Sequence, residues 1–308
     1  RLMIFLKGKD FSELRESINQ TLHRRLPYKF RGYSTNFGLP DPNDNGTQLL
    51  EDIENGSVNH RVEIFTISEF FLDYLNFDVR QTIEPADWLT FPEQKLRAIT
   101  AGAIYRDEIG LQETINRFGY YPNDVWLYLL ASGWNRISQE EHLMGRAGIA
   151  GDEIGSAIIA ARLVRDLIRL SFLMEKQYAP YPKWFGKAFS ELKCAAELSP
   201  IFKKVLSAET WQEREKHLAA AYEYVAELHN ALEITEPLPT KVGNFFSRPF
   251  LVIHLHGRFA NAIRARINDP EVKRIAERRL VGSVDQFSDS TDVLAEPKWR
   301  EILRKFYE

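Results

Sequence analysis

Tyr121-Pro122-Asn123-Asp124-Val125-Trp126-Leu127-Tyr128-Leu129-Leu130, continuing to Arg146, is followed by a second long segment that opens at Gly151-Asp152-Glu153 and runs to Lys176. Both carry helical periodicity. At about 100° of rotation per residue, Trp126, Leu130, Gly133, Ile137 and Met144 line one face of the first, and Glu140 and Glu141 fall within or beside that face. On the second, Arg162, Arg165 and Arg169 share a side with Asp166, bordered by Ile158, Phe172 and Leu173. Charge placed in a helix interface must be paired or must meet a charged ligand. Two readings stay open. Glu140 and Glu141 can pair with the three arginines as an internal network. Alternatively the stripe takes a phosphate, because guanidinium forks match phosphate oxygens and little excess acid is available for a purely internal pairing.

Working outward, the N-terminal side alternates strand and helix. Residues 2–6 form a short apolar run that reads as a buried strand, and Asp10 is expected to cap a helix through Leu26 that Pro27 ends. Residues 28–37 read as a second strand and 38–59, rich in Pro, Asp, Asn and Gly, as a loop with a helical turn near Leu49. Residues 61–67 give a third strand, followed by a helix from Ser68. After Trp88 strand signals largely stop, and helices are expected from Pro92, Pro122, Gly151, Pro182, Pro200 and Ala208. Residues 282–292 look irregular, and a last helix lies near Trp299. The fold expected is α+β and mostly α, with a partial mixed sheet over 1–90 and a larger all-helical domain over 91–308. A chain that opens at Arg1 directly into a strand is expected to be preceded by further residues.

Composition narrows the function classes. Of 308 residues, 44% are hydrophobic and 27% charged, a globular balance. A net charge of -3 gives no global basic field for general nucleic-acid binding. Cys194 is the one cysteine, so no intrachain disulfide is possible, which fits a reducing, cytoplasmic setting. No apolar run is long enough to cross a bilayer.

Several smaller constellations compete with the helical pair. Glu63 alternates with Val62 and Ile64, so its side chain leaves the strand on the opposite face, as a metal ligand or a solvated group. Gly282-Ser283 with Asp285, Asp289 and Asp292 superficially suggests nucleotidyl transfer, but that chemistry needs carboxylates at i and i+2; it reads as a capped loop. His254 and His256 form an alternating couple without further ligands, so no zinc site is expected. Arg136 and His142 have the loose spacing of some helical ribonucleases. Around Pro182, Tyr181, Lys183, Trp184, Phe185 and Lys187 make a corner able to stack a base and meet a phosphate, or simply to pack.

The runs Tyr121-Pro122-Asn123-Asp124-Val125-Trp126-Leu127-Tyr128-Leu129-Leu130-Ala131, Gly151-Asp152-Glu153-Ile154-Gly155-Ser156, Ala161-Arg162-Leu163-Val164-Arg165-Asp166-Leu167 and Tyr178-Ala179-Pro180-Tyr181-Pro182-Lys183-Trp184-Phe185-Gly186 resemble a bacterial family of uncharacterised proteins, domain-of-unknown-function 4037. So do His229-Asn230-Ala231-Leu232, Arg248-Pro249-Phe250, Asp285-Gln286-Phe287 and Ser290-Thr291-Asp292. The resemblance spans most of the chain from about Trp88 onwards. It implies a helical domain accompanying a nucleotidyltransferase-like domain of the polymerase-beta superfamily, whose Gly-Ser turn and closely spaced aspartates precede a strand such as residues 2–6. This chain does not supply them.

The implied reaction moves a nucleoside monophosphate from a nucleoside triphosphate to an unidentified acceptor, with Mg²⁺. A third carboxylate comes from a later strand in such folds, and Glu63 is the candidate. Our assignment of roles puts Arg162, Arg165, Asp166, Arg169, Lys183 and Trp184 at the nucleotide, and Glu140 or Glu141 as base on the acceptor. Two rivals stand beside it: a non-catalytic nucleotide- or partner-binding helical module, and a metal-independent ribonuclease on Arg136 and His142.

Overall fold

The structure is a computed structural model that describes residues 2–308. The chain divides into two compact units, one formed by the chain up to Thr82 with Ile104–Thr114, the other by Ile83–Ala103 with Ile115–Glu308.

In the first unit, β1 (Met3–Phe5) leads into α1 (Gly8–Arg25). Lys7 occupies the N-cap; Asp10 lies inside the first turn rather than at the cap, where it still opposes the helix dipole, as His23, Arg24 and Arg25 do in the last turn. The strand expected over 28–37 is instead a tight hairpin of β2 (Lys29–Phe30) and β3 (Tyr33–Ser34). Arg31 and Gly32 at its turn have φ of 50° and 84°, the two left-handed residues that match the twist of paired strands. The following loop is pinned by Asn36 and Asn59: Asn36 Oδ1 accepts the Asn59 N–H at 2.7 Å, and Asn59 Nδ2 donates to Phe37 O at 2.8 Å. No helical turn forms near Leu49, because Leu50 bridges Phe37 in an extended conformation.

β4 (Glu63–Phe65) pairs in parallel with β1, Met3 opposite Glu63 and Phe5 opposite Phe65. Glu63 was expected on an inner strand. This sheet has two strands among the described residues, so β4 has one neighbour. Helix α2 (Ile67–Leu75) starts at a capping box: Thr66 Oγ1 accepts the Glu69 N–H at 3.1 Å while Glu69 Oε2 accepts the Thr66 N–H at 3.2 Å. Phe5, Phe65, Phe70 and Tyr74 pack as an aromatic cluster over this small sheet.

The second unit is helical apart from one hairpin. Short α3 (Pro85–Thr90) and α4 (Glu93–Thr100) begin at prolines; α5 (Leu111–Asn116), most of it in the first unit, precedes the long pair α6 (Asn123–Ile149) and α7 (Glu153–Met174). The apolar run from Val125 to Trp134 is buried all round, so this part of α6 is central rather than a surface helix. Trp126 at the start of α6 donates to Leu173 O at the end of α7 (2.8 Å), while Ser156 near the start of α7 meets Met144 Sδ at 3.2 Å; the two helices therefore run antiparallel. Gly148 lets them meet their neighbour: a Cβ there would lie 2.1 Å from Trp211 Cγ.

Beyond them come α8 (Phe185–Phe189), α9 (Ala195–Ser207) and α10 (Trp211–Ala231). Pro200 lies inside α9 instead of opening it; the helix tolerates the lost N–H bond to Ala196. A hairpin, β5 (Gly243–Phe245) with β6 (Arg248–Val252), interrupts the helices where none was expected; Pro249 and a bulge at Asn244/Phe245 hid its strand pattern.

The remaining elements are α11 (Arg258–Arg264), α12 (Pro270–Glu277), α13 (Val284–Phe287), α14 (Thr291–Ala295) and α15 (Trp299–Leu303). Residues 282–292 are thus more ordered than expected, and their Asp285 is buried. The C-terminus is tied back by Arg300 and Arg304, which both bond Asp87 Oδ1, and by Tyr307 Oη, which donates to Gly282 O at 2.7 Å. The architecture is α+β and mostly α, with a small parallel sheet near its N-terminus. No helix is long and apolar enough to cross a membrane among the described residues.

Candidate functional site

Spacings of three and four residues put Arg162, Arg165 and Arg169 on one face of α7. Asp152 sets the start of that helix, accepting the Gly155 N–H at 2.7 Å. The three guanidiniums have different environments. Arg162 Nη2 lies 2.5 Å from Glu140 Oε1, which Arg136 Nη2 also approaches at 3.3 Å. Arg136 Nε is 3.4 Å from Asp166 Oδ2. Arg165 grips Asp289 with both terminal nitrogens, Nη1 donating to Oδ2 at 2.5 Å and Nη2 to Oδ1. Arg169 lies over the Phe185 ring, 5.4 Å from its centroid, and its Nε and Nη1 are buried without a hydrogen-bond partner among the described residues.

The internal-network reading therefore holds for Arg162 with Glu140 and leaves Arg169 aside. Asp166 is buried beside the stripe; burial raises its pKa, Arg136, Arg165 and Arg169 lower it, and Glu140 raises it. Glu140 Oε2 is buried without a partner among the described residues. Ile158 does not flank a buried stripe as expected: it is exposed, and so is Arg162, whereas Phe172 and Leu173 are buried at the other end. The stripe runs from solvent into the core.

Glu141 does not join it. Only about 100° round α6 from Glu140, its Oε2 accepts the Ile253 N–H at 2.7 Å and its carboxylate reaches the His254 N–H at 3.3 Å, satisfying the backbone after β6. Burial pushes Glu141 up to about 7 against those two bonds.

Lys183 and Trp184 are exposed on a short 3-10 turn, with Lys183 Nζ 5.0 Å from the Trp184 ring centroid. Glu63 is half-buried at the start of β4. Among the described residues no group of three or more His, Cys, Asp or Glu could hold a metal ion.

Two buried carboxyls outside the expected set feel the charge of Arg169. Glu93, the first residue of α4, is buried; its Oε2 accepts the Ala179 N–H at 2.7 Å, and its own N–H donates to Asp285 Oδ2 at 2.9 Å. Burial above all, then the Asp285 carboxyl, pushes Glu93 up to about 7; Arg169 and the Ala179 N–H act against this. Asp285 is likewise raised by burial, with Arg169, the Glu93 N–H and Arg165 opposing. Burial thus favours the neutral form of both carboxyls. The Tyr121 hydroxyl, in the field of both, is buried without a partner among the described residues. In the sequence nothing marks Glu93, which follows Pro92 at an expected helix start, and Asp285 lies in the segment that reads as a capped loop. Only their contact across the fold reveals the pair.

The other constellations disperse. His142 stacks on Phe245 at 4.2 Å, and burial first, then Arg146 and Arg248, lower its pKa, while Arg136 is engaged by Glu140 and Asp166. His254 is buried, pushed down to about 3 chiefly by burial, and its Nδ1 accepts the Phe259 N–H at 3.3 Å; His256 is exposed in a left-handed conformation, φ 59°.

Neither a curated protein nor a solved structure matches the chain significantly. Residues 88–185, which hold Glu93, Tyr121, Glu140 and the whole arginine stripe but not Asp285, match the family model described as a domain of unknown function (DUF4037), the family that the sequence resembles.

Proposed function

We propose that the helical unit binds the phosphates of a nucleoside triphosphate through the α7 stripe, in the service of nucleotidyl transfer to an acceptor. The single observation that carries this is Arg169, a guanidinium with two buried, partnerless N–H donors on the same helix face as Arg162 and Arg165. A buried donor without a partner costs stability, and a phosphate oxygen satisfies it with a charge-assisted bond. Arg165, itself half-buried and holding the exposed Asp289 carboxylate in a two-pronged grip, has the geometry for a phosphate in its place. Lys183 adds charge and Trp184 a face for the base.

In the transfer, the acceptor oxygen forms a bond to the α-phosphorus while the bond to pyrophosphate breaks. The arginines offset the charge that builds on the leaving group. Glu140, through its partnerless Oε2, is the base we assign to the acceptor proton. Glu141 is committed to backbone N–H groups and is not assigned that role.

A binding module without turnover is the second reading, favoured by one observation: the partnerless Arg169 nitrogens call for a ligand and not for a reaction. Calorimetric titration with each nucleoside triphosphate and Mg²⁺, followed by an assay of pyrophosphate release, separates the two. Binding with release supports transfer. Binding without release supports the module. Failure of every triphosphate to bind overturns both.

A further inference from the structure

Between the arginines of the α7 stripe lies a second set of groups with unfilled hydrogen-bonding capacity. Asp166 sits four residues after Arg162 and three before Arg169, about one helical turn from each, and is 8% exposed. From α6, Arg136 bridges two acids. Its Nη2 lies 3.3 Å from Glu140 Oε1, which Arg162 Nη2 pins at 2.5 Å, and its Nε lies 3.4 Å from Asp166 Oδ2. That last contact is an ion pair but not a hydrogen bond: Nε and Oδ2 are both buried without a hydrogen-bond partner among the described residues. A donor and an acceptor stand side by side, each unsatisfied, at a cost that a bound polar group removes.

The chemistry of the pair selects that group. A phosphate oxygen only accepts, so it would leave Oδ2 unpaired and set negative charge against negative. An ammonium only donates, so it would leave Nε unpaired beside a second cation. A hydroxyl both accepts and donates, so one oxygen can take a bond from Arg136 Nε and give one to Asp166 Oδ2. Net charge agrees: Arg136 and Arg162 offset Glu140 and Asp166, which suits a neutral polar group here and contrasts with Arg165 and Arg169. The side chains of Arg136 and Arg162 reach solvent, which leaves the pair open to a ligand from that side.

We propose that Arg136 and Asp166 form a hydroxyl-binding pair that holds the ribose of the nucleotide, so that the site selects a ribonucleoside triphosphate by one sugar hydroxyl. This rests on the phosphate-binding reading given above. Both sets of contacts belong to one ligand, because a nucleotide carries hydroxyls and phosphates on the same sugar and Asp166 lies about one turn from Arg169. Arg136 is held for this contact by Glu140, whose Oε2 stays free for the acceptor. No bond forms or breaks at the pair.

The test is calorimetric titration of the full chain, with Mg²⁺, against ATP, 2′-deoxyATP, 3′-deoxyATP and inorganic tripolyphosphate, for the native protein and for Asp166→Ala. One of the two deoxy analogues should bind the native protein about tenfold or more weakly than ATP, because its missing hydroxyl leaves a buried charged pair unpaired. In Asp166→Ala that ratio should fall towards one. Tripolyphosphate, which has no sugar, should bind the variant no more weakly than the native protein, since a negative charge has left the stripe. A merely structural role would weaken all four ligands alike and keep the ratio, which overturns the assignment. Equal affinity of the native protein for ATP and both deoxy analogues also overturns it: the pair then meets only solvent, and the phosphate site is left standing. No binding of tripolyphosphate or of any nucleotide overturns both. The comparison of analogues on the native protein needs no variant and decides the matter should Asp166→Ala fail to fold.

Discussion

The two ends of the α7 stripe carry the same residue type on the same helix face, yet they behave as different sites. At the outer end, Arg162 is exposed and paired to Glu140, and Arg165 holds Asp289 from a segment more than a hundred residues away. At the inner end, Arg169 lies over Phe185 and keeps two buried nitrogens, Nε and Nη1, partnerless among the described residues. The difference teaches that a charged stripe is defined by what packs against each turn. Exposed ion pairs contribute little because water screens them. Buried, incompletely paired groups are where ligand binding and protonation couple.

The largest expected effect sharpens this contrast through stability. Glu93 has a folded pKa raised above its unfolded value, so its contribution is fully present below the unfolded carboxylate pKa and is lost as pH rises through about 7. Glu93→Gln should remove that loss, worth on the order of 3 kcal/mol between pH 4.5 and 7 for a shift of this size. Denaturant unfolding of both proteins across this range checks it, and parallel pH curves would count against it. Buried His229 and His254, pushed down to about 4 and about 3, titrate in the opposite sense below pH 6.5, so the difference between variant and native protein is the quantity to read.

Next comes the inner arginine. Arg169→Ala should weaken triphosphate binding by on the order of 1.5–3 kcal/mol, the worth of a charge-assisted hydrogen bond. Arg165→Ala should act in the same direction and within the same range. If Arg162→Ala weakens binding as much as Arg169→Ala, the inner and outer ends do not differ and the contrast breaks.

The smallest effect concerns the outer contact. Asp289→Asn should free Arg165 and tighten phosphate binding by less than about 1 kcal/mol, as expected of an exposed ion pair. A stronger gain would mean that the 288–290 segment competes with the ligand more than its exposure suggests; no gain would mean that phosphate does not use Arg165.

Much of the fold was legible. The periodicity of 121–146 and 151–176 located α6 and α7 to within a few residues, because long apolar patterns leave one structural solution. The strands around Met3 and Glu63 were legible for the same reason, as short apolar runs. The β5–β6 hairpin was not, since Pro249 and a bulge break the alternation on which such readings depend. Pro200 misled in the other direction: a proline that usually opens a helix sits inside one whose tertiary contacts outweigh the lost bond.

For the candidate site, the sequence by itself determined that Arg162, Arg165 and Arg169 share a side of one helix and that Glu140 and Glu141 sit near its neighbour, since helical spacing is a local property. Only the tertiary structure decided which of them meet. It gave Glu140 to Arg162 and Arg136, turned Glu141 to the backbone after β6, and brought Glu93 and Asp285 together. Pairing and protonation depend on distance and burial, and those are set by chain segments far apart in sequence closing around one core.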